Sequence, residues 1–323
     1  MMLVLVEHDR GKLNELSLQA LTLGRQLAQQ TGAALHALLI GESAQALAPR
    51  LAGYNVELIH LAQDARLDDY APGAWAQCVV DRITTLQPQV VLAAGSERGN
   101  EVLAHVAARC DLPLAANCVE VTPGEPFLVT RQRWGGSLLE DANVHGAVKL
   151  LTLAPHAIQA AATATAQPPA IQEFTPALSD KDFRVRVTAR VETTGGKASL
   201  ADAKVVVGGG RGVGSAEGFA VLEELAALLN GVVGCSRAVT SLGWRPHLDQ
   251  VGQTGTRIAP EIYIACGVSG AIQHMVGCKG SKQILAINTD REAPIVARAD
   301  YAIIDDLHKA IPAICAEIRK GKG

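Results

Sequence analysis

The chain has 323 residues, enough for about two domains and for a large core that needs no covalent staples. Hydrophobic residues make up 48% and charged residues 19%, the balance of a globular chain and not of a disordered one. A net charge of −3 and only eleven aromatic residues exclude a basic nucleic-acid surface and a base-stacking platform.

Residues 3–7 read as a short buried strand, followed over 15–30 by a helix with Leu16, Ala20, Leu23 and Leu27 on one face. Gly32 stands where a helix-ending glycine is expected. The alternation continues with strands at 33–40, 56–60 and 90–94 and helices near 44–51, 75–86 and 101–110. Such alternation predicts a parallel α/β sheet covered on both faces. After Pro113 the rhythm changes: 117–121, 127–133 and 144–153 read as strands with glycine turns between them, an antiparallel extension of the sheet. The small-residue, proline-bearing stretch around 155–182 reads as a linker, and 183–191 as a half-buried strand leading out of it. A second α/β block opens at Lys204, with a glycine turn, an apolar helix over 216–229, strands at 231–235, 261–266, 283–288 and 301–304, and a closing helix over 307–319. The predicted fold is α/β in two domains, 1–185 and 186–323, each an open, mainly parallel sheet covered by helices.

The seven cysteines form no C-x-x-C pair and keep no zinc-ligand spacing with histidines, so reduced thiols and no metal are expected. No apolar run reaches the roughly 18 residues of a membrane span, and no leader pattern opens the chain, so an untargeted cytoplasmic protein without membrane insertion is expected.

The glycine turn from Gly208 to Gly214 is either a plain strand-to-helix turn or a phosphate site, with Arg211 inside it. It fails the dinucleotide fingerprint, because Ser215 stands where the third glycine belongs. Gln250, Val251, Gly252, Gln253 and Thr254 make a polar loop that serves equally as a turn or as the wall of a ligand with many polar edges. Ser269, Gly270, Ala271, Ile272, Gln273 and His274 follow a strand and open a helix, an arrangement suited to a pyrophosphate. Arg237 follows another strand, Asn288 ends a third, and Asp305 or Asp306 is a natural helix cap. All lie at strand C-terminal ends of one sheet, where such sheets bind ligands. No G-x-S-x-G elbow, H-E-x-x-H motif or acid–base pair accompanies them, which points to a carrier of a bound cofactor and away from an enzyme.

At these residues the sequence resembles the alpha subunits of the electron-transfer flavoproteins, the FixB-like family. The runs that carry the likeness are Gly209-Gly210-Arg211-Gly212, Gly234-Cys235-Ser236-Arg237, Gln250-Val251-Gly252-Gln253-Thr254-Gly255 and Ser269-Gly270-Ala271-Ile272-Gln273-His274, continued by Ala286-Ile287-Asn288 and Ala299-Asp300-Tyr301. The resemblance implies one FAD per alpha–beta heterodimer, held by a Rossmann-like C-terminal domain, with AMP or a second FAD in the beta subunit. It implies that Arg211 and Ser236 contact the adenosine-diphosphate half, that Ser269 to Gln273 wrap the pyrophosphate and ribityl chain, and that Asn288, Asp306 and Leu307 complete the adenosine side. Val251 to Thr254 would line the flavin beside Gln250, also a cofactor-binding residue, with Thr254 near N5, His274 a donor near O2 and Arg237 close to the ring. An arginine and a donor there favour an anionic semiquinone. The implied partners are the beta subunit, which cradles the N-terminal domain, primary flavin dehydrogenases as donors and a membrane quinone oxidoreductase as acceptor. A nitrogen-fixation, carnitine-pathway or bifurcating branch of the family uses similar chains. A flavin or nicotinamide enzyme and a non-redox nucleotide module are the readings from other classes. Cys235, Cys266 and Cys278 depart from the family's usual residues and read as small buried fillers.

Overall fold

In the computed structural model, which describes residues 1–163, 168–189, 199–201 and 203–322, the chain divides into two compact units, Met1–Val191 and Glu192–Gly323. The first unit contains, in chain order, β1 (Met2–Leu5), β2 (His8–Asp9), β3 (Lys12–Leu13), α1 (Leu16–Thr31), β4 (Leu35–Ile40), α2 (Ala48–Leu51), β5 (Leu58–Ala62), α3 (Pro72–Leu86), β6 (Val90–Ala94), α4 (Glu97–Cys110), β7 (Leu114–Thr122), β8 (Phe127–Arg133), β9 (Leu138–Val144), β10 (Lys149–Leu153) and β11 (Ala170–Phe174). Its main sheet has nine strands in the order β11-β5-β4-β1-β6-β10-β7-β8-β9. The strands from β11 to β7 run parallel, and β8 and β9 add an antiparallel extension.

The central strands β1, β6 and β10 are buried at every position, as strands covered on both faces must be. Their alternate residues feed two cores, one around Val4, Leu21 and Leu92 and one around Leu3, Trp75 and Val91. Helix α1 ends where Gly32 takes a left-handed conformation, φ 65°, and donates its N–H to Ala28. Helix α4 starts at Ser96, whose hydroxyl accepts from the Gly99 amide at 2.9 Å.

Four expectations need correction. The segment 44–51 is mostly 3-10 helix, Glu42–Leu47, with only Ala48–Leu51 as α-helix. The single strand expected over 144–153 is two, because Gly146 turns the chain at φ 102° between β9 and β10. The linker expected around 155–182 contains β11, which pairs in parallel with β5 at the sheet edge, and a 3-10 turn, Asp180–Phe183, whose Asp182 meets Arg109 at 2.9 Å. Residues 184–189 form no strand, and Val185 is exposed; the rest of that predicted strand, 190–191, lies outside the described residues. The Val187 amide bonds to the Tyr70 carbonyl, so this segment packs with the first unit.

In this unit the point where strand order reverses lies between β1 and β6, the place where doubly wound sheets take ligands. Here it is filled by protein. Glu7 accepts hydrogen bonds from Ser96 and from Asn14, and Leu5, Trp75, Arg98 and Val102 close the crevice without room for a water.

The second unit contains β12 (Val205–Gly209), α5 (Ala220–Leu228), β13 (Val232–Cys235), α6 (Arg237–Ser241), β14 (Ile262–Cys266), α7 (Ile272–Cys278), β15 (Gln283–Asn288), β16 (Tyr301–Ile304) and α8 (Leu307–Lys322). All five strands are parallel, in the order β13-β12-β14-β15-β16. This is a doubly wound α/β sheet whose order reverses between β12 and β14. Apolar residues from both faces build one core around Val207, Phe219 and Ile264 and another around Val206, Tyr263 and Ala286. No helix among the described residues is long and apolar enough to cross a membrane.

Candidate functional site

The reversal between β12 and β14 splits the following loops to opposite sides and leaves a crevice at the strands' C-terminal ends. Glycines let the two loops close on each other there. The Gly210 amide bonds to Cys266 O at 2.9 Å, and the Gly212 amide to Gly267 O at 3.0 Å. A Cβ on Gly210 would lie 2.1 Å from the Gly267 oxygen, a contact that only glycine avoids. Arg211 projects, exposed, from the turn they form.

The second loop carries the feature best suited to an anion. Among the described residues, the amides of Ser269, Gly270, Ala271, Ile272 and Gln273 meet no backbone acceptor, and four of these five residues are exposed. Gly270, at φ 83°, makes the turn possible, since a Cβ would strike the Ile295 backbone at 2.3 Å. The helix begins at Ile272, two residues later than its expected start near Gly270, and is only seven residues long. An anion there would meet the row of amides, with only a small contribution from the dipole of so short a helix. Ser236, which precedes α6, binds the Gly209 carbonyl through its amide, and its hydroxyl makes no cap hydrogen bond.

The polar loop Gln250 to Thr254 is anchored on both sides. Val251 N donates to Cys235 O, and Gln253 N donates to Gln273 O, both at 2.8 Å. Gly252 packs against Gly277 so closely that a Cβ on Gly277 would lie 2.3 Å from the Gly252 nitrogen. Val251 is buried in the core, while Thr254 is exposed. Thr254 and Gln250 line a cavity of about 410 Å³ together with Arg237, Thr240, Ser241 and His247. Sequence reasoning missed the last three; Thr240 lies one helical turn beyond Arg237, and that spacing was the available signal.

Four expected site residues turn toward the protein. His274 is 6% exposed and does not line the cavity. Its Nε2 lies 2.8 Å from the hydroxyl of the fully buried Tyr263, and its Nδ1 is buried without a partner of hydrogen-bond geometry. Burial lowers its pKa to about 4 against a smaller upward pull from the Val251 backbone, so the ring is neutral at pH 7. The position one turn into α7 faces the sheet, and through Nε2 the ring braces the buried Tyr263. Asn288 donates from Nδ2 to Val268 O at 2.9 Å and accepts from Asp290 N at 3.0 Å, holding the second loop. Asp306 accepts from His308 N at 2.9 Å, the cap role open to it from the start. Leu307 is a core residue, and a Cβ on Gly267 would come within 3.0 Å of its Cδ2.

Cys235, Cys266 and Cys278 are fully buried, and burial pushes each thiol up to about 12, so they stay protonated and inert. Among the described residues no group of three or more His, Cys, Asp or Glu side chains is placed to hold a metal.

The residues present fit a dinucleotide: a row of amides without backbone acceptors for its phosphates, an arginine in the adjoining glycine turn, and a polar cavity with a second arginine for its ring. Comparison with known proteins agrees. Residues 199–279 match the electron transfer flavoprotein FAD-binding domain, and residues 2–179 match the electron transfer flavoprotein domain, so the cofactor is FAD. The chain is 32% identical to the electron transfer flavoprotein subunit alpha of Thermoanaerobacterium thermosaccharolyticum over 99% of this chain and 98% of the relative. It is 34% identical to protein FixB of Clostridium saccharobutylicum, over 98% and 96% of the two chains. It is 33% identical to the electron transfer flavoprotein subunit alpha of Bacillus subtilis, over 98% and 97%. With a filled crevice in its first unit and an FAD-binding second unit, the chain belongs to the electron transfer flavoprotein alpha-subunit family.

Proposed function

We propose that this chain is the FAD-carrying alpha subunit of a heterodimeric, cytoplasmic electron-transfer flavoprotein, taking electrons from primary dehydrogenases and passing them to a quinone oxidoreductase through an anionic flavin semiquinone. It acts as a carrier without substrate chemistry of its own. The observation that carries this reading is the meeting of the glycine turn with the amides of Ser269 to Gln273, which meet no backbone acceptor among the described residues, at the reversal of the second sheet. Bound FAD supplies the one-electron and two-electron redox steps. Arg211 and Ser236 hold the adenosine-diphosphate half, and the amides from Ser269 to Gln273 take the pyrophosphate. Asn288, Asp306 and Leu307 support the adenosine side by bracing the loops around it. The loop from Val251 to Thr254 backs the ring and presents Thr254 to it, and Arg237 brings a positive charge to the cavity that Thr254 lines.

Arg237→Ala tests the charge. The variant keeps FAD, because the phosphate loops are intact, but loses the cation that favours a negative ring. Stepwise reduction of the heterodimer is expected to give roughly tenfold less of the red anionic semiquinone. A yield equal to that of the unaltered protein would remove Arg237 from the ring. In a coupled assay the heterodimer should be reduced by a primary flavin dehydrogenase and reoxidised by a quinone oxidoreductase, and failure with both would overturn the carrier reading.

A further inference from the structure

Thr240 sits on α6, on the far side of Gln250 from Thr254. Its hydroxyl is 2.7 Å from Gln250 Oε1 and 3.0 Å from the Arg237 carbonyl. At the other end of the same amide, Gln250 Nε2 donates to Thr254 Oγ1 at 3.0 Å. Gln250 is 2% exposed, so its amide cannot exchange these partners for bulk water.

The chemistry of the three groups gives the row a direction. An amide oxygen only accepts and an amide nitrogen only donates, whereas a hydroxyl does both. The Oε1 contact at 2.7 Å is shorter than the Arg237 carbonyl contact at 3.0 Å, so the single Thr240 proton goes to Oε1 and the amide keeps Nε2 toward Thr254. Thr254 Oγ1 then accepts, and its own proton is left to point away from Gln250. The flipped amide would present Oε1 to Thr254 and absorb that proton. Thr254 is the exposed end of the row and lines the cavity that also holds Arg237.

We propose that Thr240 is a positioning residue: acting through Gln250, it fixes the Thr254 hydroxyl as a hydrogen-bond donor into the cavity that receives the flavin ring. The proposal rests on the reading of that cavity as the flavin site. Thr240→Val removes the donor that sets the amide: unturned, the amide leaves Oε1 unpaired, and turned it leaves Nε2 unpaired, so the orientation with Nε2 toward Thr254 is no longer selected. The donor offered to the cofactor is then no longer held in place, although Thr254 itself is unchanged.

A double-mutant cycle on the heterodimer tests this, with FAD dissociation constant and midpoint potential as readouts. Thr254→Val is expected to weaken FAD binding about fivefold, the loss of one hydrogen bond, and Thr240→Val by up to that factor, both moving the potential in the same direction. The double variant is expected to remain about fivefold weakened, because Thr240 acts only through Thr254. Thr240→Ser keeps the hydroxyl and is expected to restore both values, which separates the relay from a packing defect. In the cofactor-free heterodimer, Thr240→Val is expected to shift the Gln250 side-chain amide signals in NMR spectra. A double variant weakened about 25-fold, or unmoved Gln250 signals, would overturn the relay while leaving the flavin reading in place. A Thr254→Val variant with unchanged affinity and potential would overturn both.

Discussion

Gly210→Ala is expected to cost the second unit about 3 kcal/mol or more and to abolish FAD binding. The added methyl would lie 2.1 Å from the Gly267 oxygen and 2.6 Å from the Val268 Cα, both backbone atoms that no rotamer change can move. The turn after β12 and the loop after β14 would separate, and the second of these carries the row of amides. Gly214→Ala is the matched control. Gly214 has φ 87° and ψ −40° but nothing within 4 Å of an added Cβ, so backbone strain of about 1–3 kcal/mol and no displacement of the amide row are expected there. FAD titration should separate the two variants, with binding lost in Gly210→Ala and kept in Gly214→Ala, and thermal denaturation should show the larger loss in Gly210→Ala. Equal melting temperatures and equal affinities would show that the interlock does not shape the site.

The second large effect is acid lability in both units. His60 is 1% exposed, with Nε2 3.0 Å from His36 Nδ1. Burial, helped by His36 and Arg82, lowers its pKa to about 4. Burial brings His274 in the other unit to about 4 as well. In the unfolded chain each titrates near its ordinary 6.5, so below that pH the unfolded state binds more protons. Stability is therefore full above pH 6.5 and falls as the pH drops toward 4, by about 2 kcal/mol per residue at pH 5. His8 and His36, also lowered mainly by burial, add in the same direction. Urea unfolding at pH 7.5 and pH 5 should show the loss, and His60→Gln should flatten the pH dependence of the first unit. An unchanged slope in that variant would mean that His60 is not a neutral group in the folded state.

Much of this architecture could be read from the sequence because glycine and apolar runs mark it locally. The strands at Val90–Ala94, Phe127–Arg133, Gln283–Asn288 and Tyr301–Ile304 fall where their patterns place them. Two of the misses share a cause. Strand β9 begins with the exposed Leu138 and Leu139, and β11 is exposed at nearly every position. Both lie at sheet edges, where pairing with a distant strand, and not an apolar face, makes the strand. Strand β11 exists because β5 offers a free edge more than a hundred residues earlier, and no local pattern signals that.

The site divides along the same line. The glycines that permit close loop contact and the loop that runs from Gln250 to Thr254 were legible as motifs. The orientation of single side chains was not. His274, Asn288 and Leu307 occupy the expected loops and helix starts, yet their side chains face Tyr263, Val268 and the core. Which way a residue one turn into a helix points depends on the face that the helix presents to the sheet, and that is set by tertiary packing.

The most direct test is the visible spectrum of the chain purified together with its beta subunit, followed by stepwise dithionite reduction. The expected result is an oxidised flavin spectrum with one FAD bound by the second unit, passing through a red anionic semiquinone before full bleaching. A folded, colourless heterodimer that cannot be reconstituted with FAD would contradict the assignment of the crevice between β12 and β14.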